Sequence, residues 1–280
     1  MAVVVLGLAP ATAQAAKGKI EVRPGPDAIA DALDRAKDGQ VLRIHRGRYD
    51  EALTIGKRVK LVGVGKRRPV VDAGCATPTT IEVQADGVRL NGLKVVGAAT
   101  ATEVNFIRVS GGRASELVLR DTCDAEYGIN VNDTGPMAIV KSKAFGFDDA
   151  GFYIGAIRST PGGSIRLARS ESFDNLRGVI VEDSAGGDIR IRRNLFTDND
   201  VFVGELLPTG ALITKSEGVL VEENAVTDNG TFGLRLTPDS SGNRINDNLL
   251  LGNPVDIRNE GSGNCGAGNE FLTGDTLPPC

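Results

Sequence analysis

Apolar residues along this chain come in short alternating bursts, each introduced by glycine. The pattern Gly, apolar, any, apolar reads at Gly128–Val131, Gly151–Ile154, Gly178–Val181, Gly210–Ile213 and Gly233–Leu236, with steps of 23, 27, 32 and 23 residues between the glycines. Alternation over so few residues is the period of a half-buried strand. A second pattern runs out of phase with the first. It reads apolar-x-x-Asn-x4-Asn at Ile191/Asn194/Asn199, Val221/Asn224/Asn229 and Ile245/Asn248/Asn253, with a degenerate copy at Leu167/Ser170/Asn175. A recurrence of this size marks stacked repeats, each burying its apolar residues against the next. Ile81–Val83, Val88–Leu90, Phe106–Val109 and Leu117–Leu119 carry the strands upstream.

One stretch has helical spacing. In Pro26–Lys37, Ile29, Leu33 and Ala36 share a face, Pro26 suits the first helical position, and Asp38-Gly39 ends the run. This helix is expected to cap the open apolar end of the stack. The base spacing of 22 to 24 residues suits three short strands and three turns per coil. The two longer steps place inserted loops near Ala156–Ser164 and Asp200–Thr209, positions where function often sits.

Composition sharpens the picture. Net charge is -4, with Lys and Arg interleaved among Asp and Glu, so no basic patch for nucleic acid and no polybasic membrane segment is expected. Residues 1–16 are apolar and then small, with Ala13-Gln14-Ala15 as a cleavage site, which predicts a secretory signal peptide too short to span a bilayer. Residues 17–280 are then one domain, with a tail over 260–280. Four cysteines fit export. Cys265 and Cys280 are expected to staple the tail. Cys75 and Cys123 fall two coils apart, about 10 Å, and pair only if the chain at Ala98–Thr102 lets them bypass the coil between.

The capping helix followed by Asp38-Gly39-Gln40-Val41, the recurring Gly-led strands and the Asn turns together resemble the pectate-lyase-like superfamily. The resemblance implies an all-β, right-handed parallel β-helix over about residues 20–275. That superfamily includes lyases, hydrolases, epimerases and adhesins. On such a coil, Ile129, Phe152, Val179, Ala211 and Leu234 stack inward, as do Val131, Ile154, Val181, Ile213 and Leu236. The Asn residues form stacked turns as an amide ladder, helped by the tolerance of Asn for left-handed backbone.

Strand alternation then gives two outward rows. One is Glu82, Arg108, Asn130, Tyr153, Ile180, Leu212, Arg235; the other is Gln84, Ser110, Asn132, Gly155, Glu182, Thr214, Thr237. Asp149, Tyr153, Glu182 and Arg108 are the candidate catalytic residues, and Glu126, Tyr127, Asn130, Asn132 and Arg158 the candidate substrate-binding residues. Paired carboxylates serve glycoside hydrolysis, Tyr or Arg can take a proton beside a uronate, and calcium suits carboxylates on adjacent strands. The polygalacturonase Gly-His-Gly, the pectate-lyase Arg-x-Pro-x-x-Arg and the epimerase Asp-Pro-His-Glu are all absent. Copper-delivery β-helix proteins share the expected fold, but one His (His45) and two Met give a soft copper site little support. The expectation is a secreted or cell-surface monomer that binds or processes polysaccharide, as a lyase or hydrolase. The alternative is a non-catalytic binding scaffold.

Overall fold

The computed structural model describes residues 18–157 and 163–280; the expected leader and Arg158 lie outside them. The chain forms a right-handed parallel β-helix with three faces. The first face is an 11-stranded parallel sheet running from Lys19–Val22 through Lys60–Val64, Met137–Val140 and Asp188–Arg192 to Cys265–Ala267. The second is built of three-residue strands such as Lys143–Phe145 and Leu195–Thr197. The third carries the Gly-led strands Tyr127–Asn132, Ala150–Gly155, Arg177–Glu182 and Thr209–Thr214. Two 14-residue strands, Val70–Val83 and Lys94–Ile107, run through the second and third faces without a break.

The interior matches the apolar pattern. Val104, Ile129, Phe152, Val179, Ala211, Leu234 and Ile257 stack in register, beside Phe106, Val131, Ile154, Val181, Ile213 and Leu236. All are essentially inaccessible to water, so each aliphatic contributes roughly 1.5–3 kcal/mol before entropy is subtracted. The repeat glycines are needed because the strand enters the core there. A Cβ on Gly178 would lie 2.4 Å from the Gly210 carbonyl oxygen, and one on Gly151 would lie 2.0 Å from Ser172 Oγ.

Each coil turns through left-handed corners, and these are occupied mainly by charged residues rather than Asn. After the first face the corner residues are Glu116, Lys141, Arg169, Arg193, Glu223 and Asp247, with φ between 54° and 57°. Such backbone costs an L-residue roughly 1–2 kcal/mol. The residue after the corner points inward and repays that cost. Asn224 Oδ1 accepts both the backbone N–H and the Nδ2–H of Asn194, each at 3.0 Å. Asn224 in turn donates to Asn248 Oδ1 at 3.0 and 2.9 Å, and Asn248 to Asn269 at 3.0 Å. Ser170 and Ser142 continue the ladder upstream. A parallel ladder links Asn175, Asn199, Asn229 and Asn253, and ends where Asn253 Nδ2 donates to Asp256 Oδ1 at 2.9 Å. Burial raises the Asp256 pKa, but bonds from Asn253 and the Leu272 and Thr273 amides outweigh it and hold the carboxyl below its usual range.

The capping helix spans Ala28–Arg35, shorter than its periodicity suggested. Asp27, not Pro26, sits at its entry in a left-handed conformation without a side-chain cap. Glu51, from the adjoining coil, supplies the cap, accepting from Ile29 N and Ala30 N at 2.9 Å each. At the other end Cys265 and Cys280 are bonded, and the tail returns so that Gly266 N donates to Pro278 O at 2.9 Å.

Cys75 and Cys123 are also bonded, with Cα atoms 5.9 Å apart. Two consecutive left-handed residues, Gly74 and Cys75, bulge out of their strand, and its register with Lys94–Ile107 slips between Asp72 and Thr77 and again before Thr79. The same irregularity seats Glu103 where the following coil has Gly128. Glu103 is fully buried. Burial is the main cause that pushes its pKa up to about 7, with Asp121 adding repulsion against opposing bonds from Thr80 and Ala98. Thr80 Oγ1 lies 2.7 Å from Glu103 Oε2 and 3.1 Å from the Val96 carbonyl. One hydroxyl proton cannot serve both acceptors, whereas a protonated Glu103 donates to Thr80 and frees it for Val96.

Two outcomes are expected. Asn224→Ala orphans two buried Asn194 donors and should cost on the order of 2–4 kcal/mol in denaturant unfolding; Asn224→Ser should recover part, since Ser already fills rungs 142 and 170. Glu103 binds its proton more tightly folded than unfolded, so its contribution is favourable at low pH and is lost as pH rises from about 4.5 to about 7. Glu103→Gln should therefore match the wild type near the acid end of that window. Above it, the variant should be more stable by about 3 kcal/mol, read from melts across pH.

Candidate functional site

The third face presents Glu82, Asn105, Asn130, Tyr153, Ile180, Leu212 and Arg235 as one outward row. The next row is Ile107, Asn132, Gly155, Glu182 and Thr214. Both rows are as the alternation predicted from Asn130 and Asn132 onward, but upstream the expected Arg108 and Ser110 are replaced by Asn105 and Ile107. The extra residues of the Lys94–Ile107 strand shift the frame. Arg108 instead occupies a corner at φ 55°, 81% exposed, with Asp133 3.8 Å away. It takes no part in the cluster.

Tyr127 and Tyr153 pack with ring centroids 4.8 Å apart, tilted by 44°. The Tyr153 hydroxyl donates to Glu182 Oε2 at 3.0 Å, and Lys215 lies 3.6 Å from the other carboxylate oxygen. Tyr153 reaches Glu182 by leaning across Gly155, where a Cβ would stand 2.4 Å from the ring. Asp149 is ion-paired with Arg177 and lies beside Tyr127. Asn130 Oδ1 and Asn105 Oδ1 are buried with no hydrogen-bond partner among the described residues; Asn105 Nδ2 donates to Glu82 at 2.8 Å.

A cavity of about 410 Å³ opens beside this cluster, lined by Thr100, Asp124, Glu126, Tyr127, Asp148 and Asp149. Val203 and Leu206 complete its wall from the inserted segment 200–208, which also exposes Phe202 to 67%. The spacing had located that insertion. Arg177 was missed, although it precedes its repeat glycine as Tyr127 does. Val203 and Leu206 were missed because an inserted loop carries no repeat register.

The electrostatics are one-sided. Burial, then the carboxylates of Asp149 and Asp148, raises the Glu126 pKa. Burial also raises Asp149, more than the Arg177 pair and Tyr127 lower it, with Glu182 adding to the rise. Burial followed by neighbouring carboxylates pushes both tyrosines well above the usual phenol range. Both phenols therefore stay protonated at neutral pH and act as hydrogen-bond donors, not bases. Asp149 and Glu182 already hold partners. The arrangement suits a polyhydroxylated ligand laid against the aromatic pair, with the cavity's carboxylates accepting its hydroxyl protons.

A family model described as periplasmic copper-binding protein (NosD) matches residues 91–276. Solved structures share the fold at low identity. The pectate lyase Pel9A is 11% identical with a TM-score of 0.66, over 95% of this chain and 82% of that one. A rhamnogalacturonan lyase is 13% identical with a TM-score of 0.59, over 88% and 87%. An alginate lyase from Paenibacillus sp. str. FPU-7 is 15% identical with a TM-score of 0.57, over 94% and 98%. No curated protein sequence matches the chain.

Copper does not fit the residues described. All four cysteines are in disulfides, and Met137 is buried in the core. His45 Nε2 is 2.6 Å from Glu21, and the chain has no second imidazole. Among the described residues no group of three or more His, Cys, Asp or Glu is placed to hold a metal ion.

Gly155→Ala should leave the melting temperature nearly unchanged while forcing Tyr153 off Glu182. Ultraviolet titration is the check: the Tyr153 phenol should ionise at lower pH in the variant once that carboxylate contact is lost.

Proposed function

The chain belongs to the NosD family, and from the cleft on its third face we propose that it is an extracytoplasmic glycan-binding β-helix protein. One observation carries this reading. Tyr127 and Tyr153 form an aromatic pair, and a 410 Å³ cavity lined by Tyr127, Glu126, Asp148 and Asp149 opens at its edge. Sugar rings stack on aromatic faces, and their hydroxyls donate to carboxylates such as Glu126 and Asp148 that line the cavity. The surrounding carboxylates favour neutral, hydroxyl-rich sugars and repel uronates at this cleft. Two disulfides accord with an oxidising compartment, as does the expected leader. No helix among the described residues is long and apolar enough to cross a membrane. The polysaccharide lyases that share the fold support a glycan partner.

Binding is favoured over cleavage because Asp149 and Glu182 are already engaged by Arg177, Tyr153 and Lys215. Cleavage remains a second reading through Glu126 alone, whose raised pKa suits a proton donor. The test is titration against neutral and uronate polysaccharides, with and without calcium, together with assays for reducing ends and unsaturated products. Neutral glycans should bind without conversion, and Tyr127→Leu should weaken them about tenfold. Product that disappears in Glu126→Gln would establish the second reading. Binding that Tyr127→Leu leaves untouched would remove the cleft from both.

A further inference from the structure

Lysine and arginine are interleaved with acids along the sequence, but the coil sorts them. On the first face, cross-strand register aligns Lys60, Arg89, Arg113, Ala138, Arg166, Arg190, Leu220 and Arg244 in a single outward row. Six cations thus stand on eight consecutive strands, about 4.8 Å apart. Like charges directly opposite each other on a sheet destabilise it. Compensation within the row is scarce: Arg190 bonds Asp188 at 2.7 Å, whereas Arg89, Arg113, Arg166 and Arg244 have no carboxylate within 4.0 Å among the described residues.

The row flanks a trough. Small or neutral residues, Asn91, Ser115, Val140 and Ala168, form the neighbouring row. A depression of about 420 Å³ lies there, and Lys141 and Arg169 join Arg113 and Arg166 around it, facing one carboxylate, Glu116. Further depressions follow the row past Arg190 to Arg244.

We propose that this row is a binding track for a linear acidic polysaccharide, one that carries a carboxylate on successive sugar residues. Three features select this partner. The cations stand in single file one or two strands apart, close to the length of one or two sugar residues, so a single extended chain can place acid groups along them. The chain as a whole is net acidic at -4 despite this row, which disfavours the broad contact that an anionic bilayer or a nucleic acid duplex demands. The row also lacks the aromatic side chains on which single-stranded bases stack. The track lies on a different face from the Tyr127/Tyr153 cleft and does not depend on it.

The experiment is calorimetric titration of the full chain with polygalacturonate oligomers across a salt series. Arg113→Gln/Arg166→Gln is compared with Arg120→Gln on the second face and with Tyr127→Leu. Salt-sensitive binding is expected in the wild type, Arg120→Gln and Tyr127→Leu. The double variant should bind about tenfold more weakly, and its log–log salt slope should fall by about one to two, as for two anions no longer neutralised. Because both arginines are exposed, the melt should not move. Three results would overturn the proposal: no binding at low salt, equal binding by the double variant, or tighter binding to single-stranded DNA or phosphatidylglycerol vesicles than to polygalacturonate.

Discussion

Everything in this molecule depends on making the same turn at the same place in every coil. The turn requires left-handed backbone at residues such as Lys141, Arg169, Arg193 and Glu223, none of which favours it. The buried amide or hydroxyl that follows makes the turn worthwhile. Each Asn accepts two hydrogens from the rung before and donates two to the rung after. A coil that turned elsewhere would leave several buried donors unmatched, each at a cost of about 1–3 kcal/mol. The apolar stacks then fill a cross-section that the ladders have already fixed.

The fixed register turns a linear sequence into surfaces of distinct character. Residues about 24 positions apart become neighbours, so charges mixed along the chain separate into an acidic cleft on one face and a cationic row on another. Neither the Tyr153–Glu182 contact nor the Arg89–Arg113 alignment involves residues close in sequence. Chemistry on such a scaffold is carried by what each coil contributes to a shared row, with inserted loops such as 200–208 adding a wall.

The repeat made most of the fold readable. Gly128 to Leu236 identified the third-face strands and the inward stacks, because a Cβ at those glycines would strike the next coil. The Asn positions were readable as a ladder, yet their conformation was not: the strain sits one residue earlier, on side chains whose type gives no sign of it. The frame failed upstream of residue 127, where Glu103 and Thr80 replace glycine and a bulge at Gly74-Cys75 lengthens the coil. Arg108 was misplaced for that reason. Asn130, Tyr153 and Glu182 followed from alternation and Asp149 from its place in the turn before the strand, whereas Arg177, Val203 and Leu206 depend on tertiary placement that no local pattern encodes. The cationic row was hidden because its members keep no constant spacing along the chain.

The carboxylate of Asp256 gives one amide ladder a defined end. An amide rung both accepts and donates, so each one calls for another beyond it. Asp256 receives from Asn253 and from the returning tail, and as an ionised acid it has no proton to pass on. It is a stop signal written in hydrogen-bond polarity. That ladder therefore ends at one position by a single oxygen-for-nitrogen exchange, while the neighbouring ladder runs on from Asn248 to Asn269.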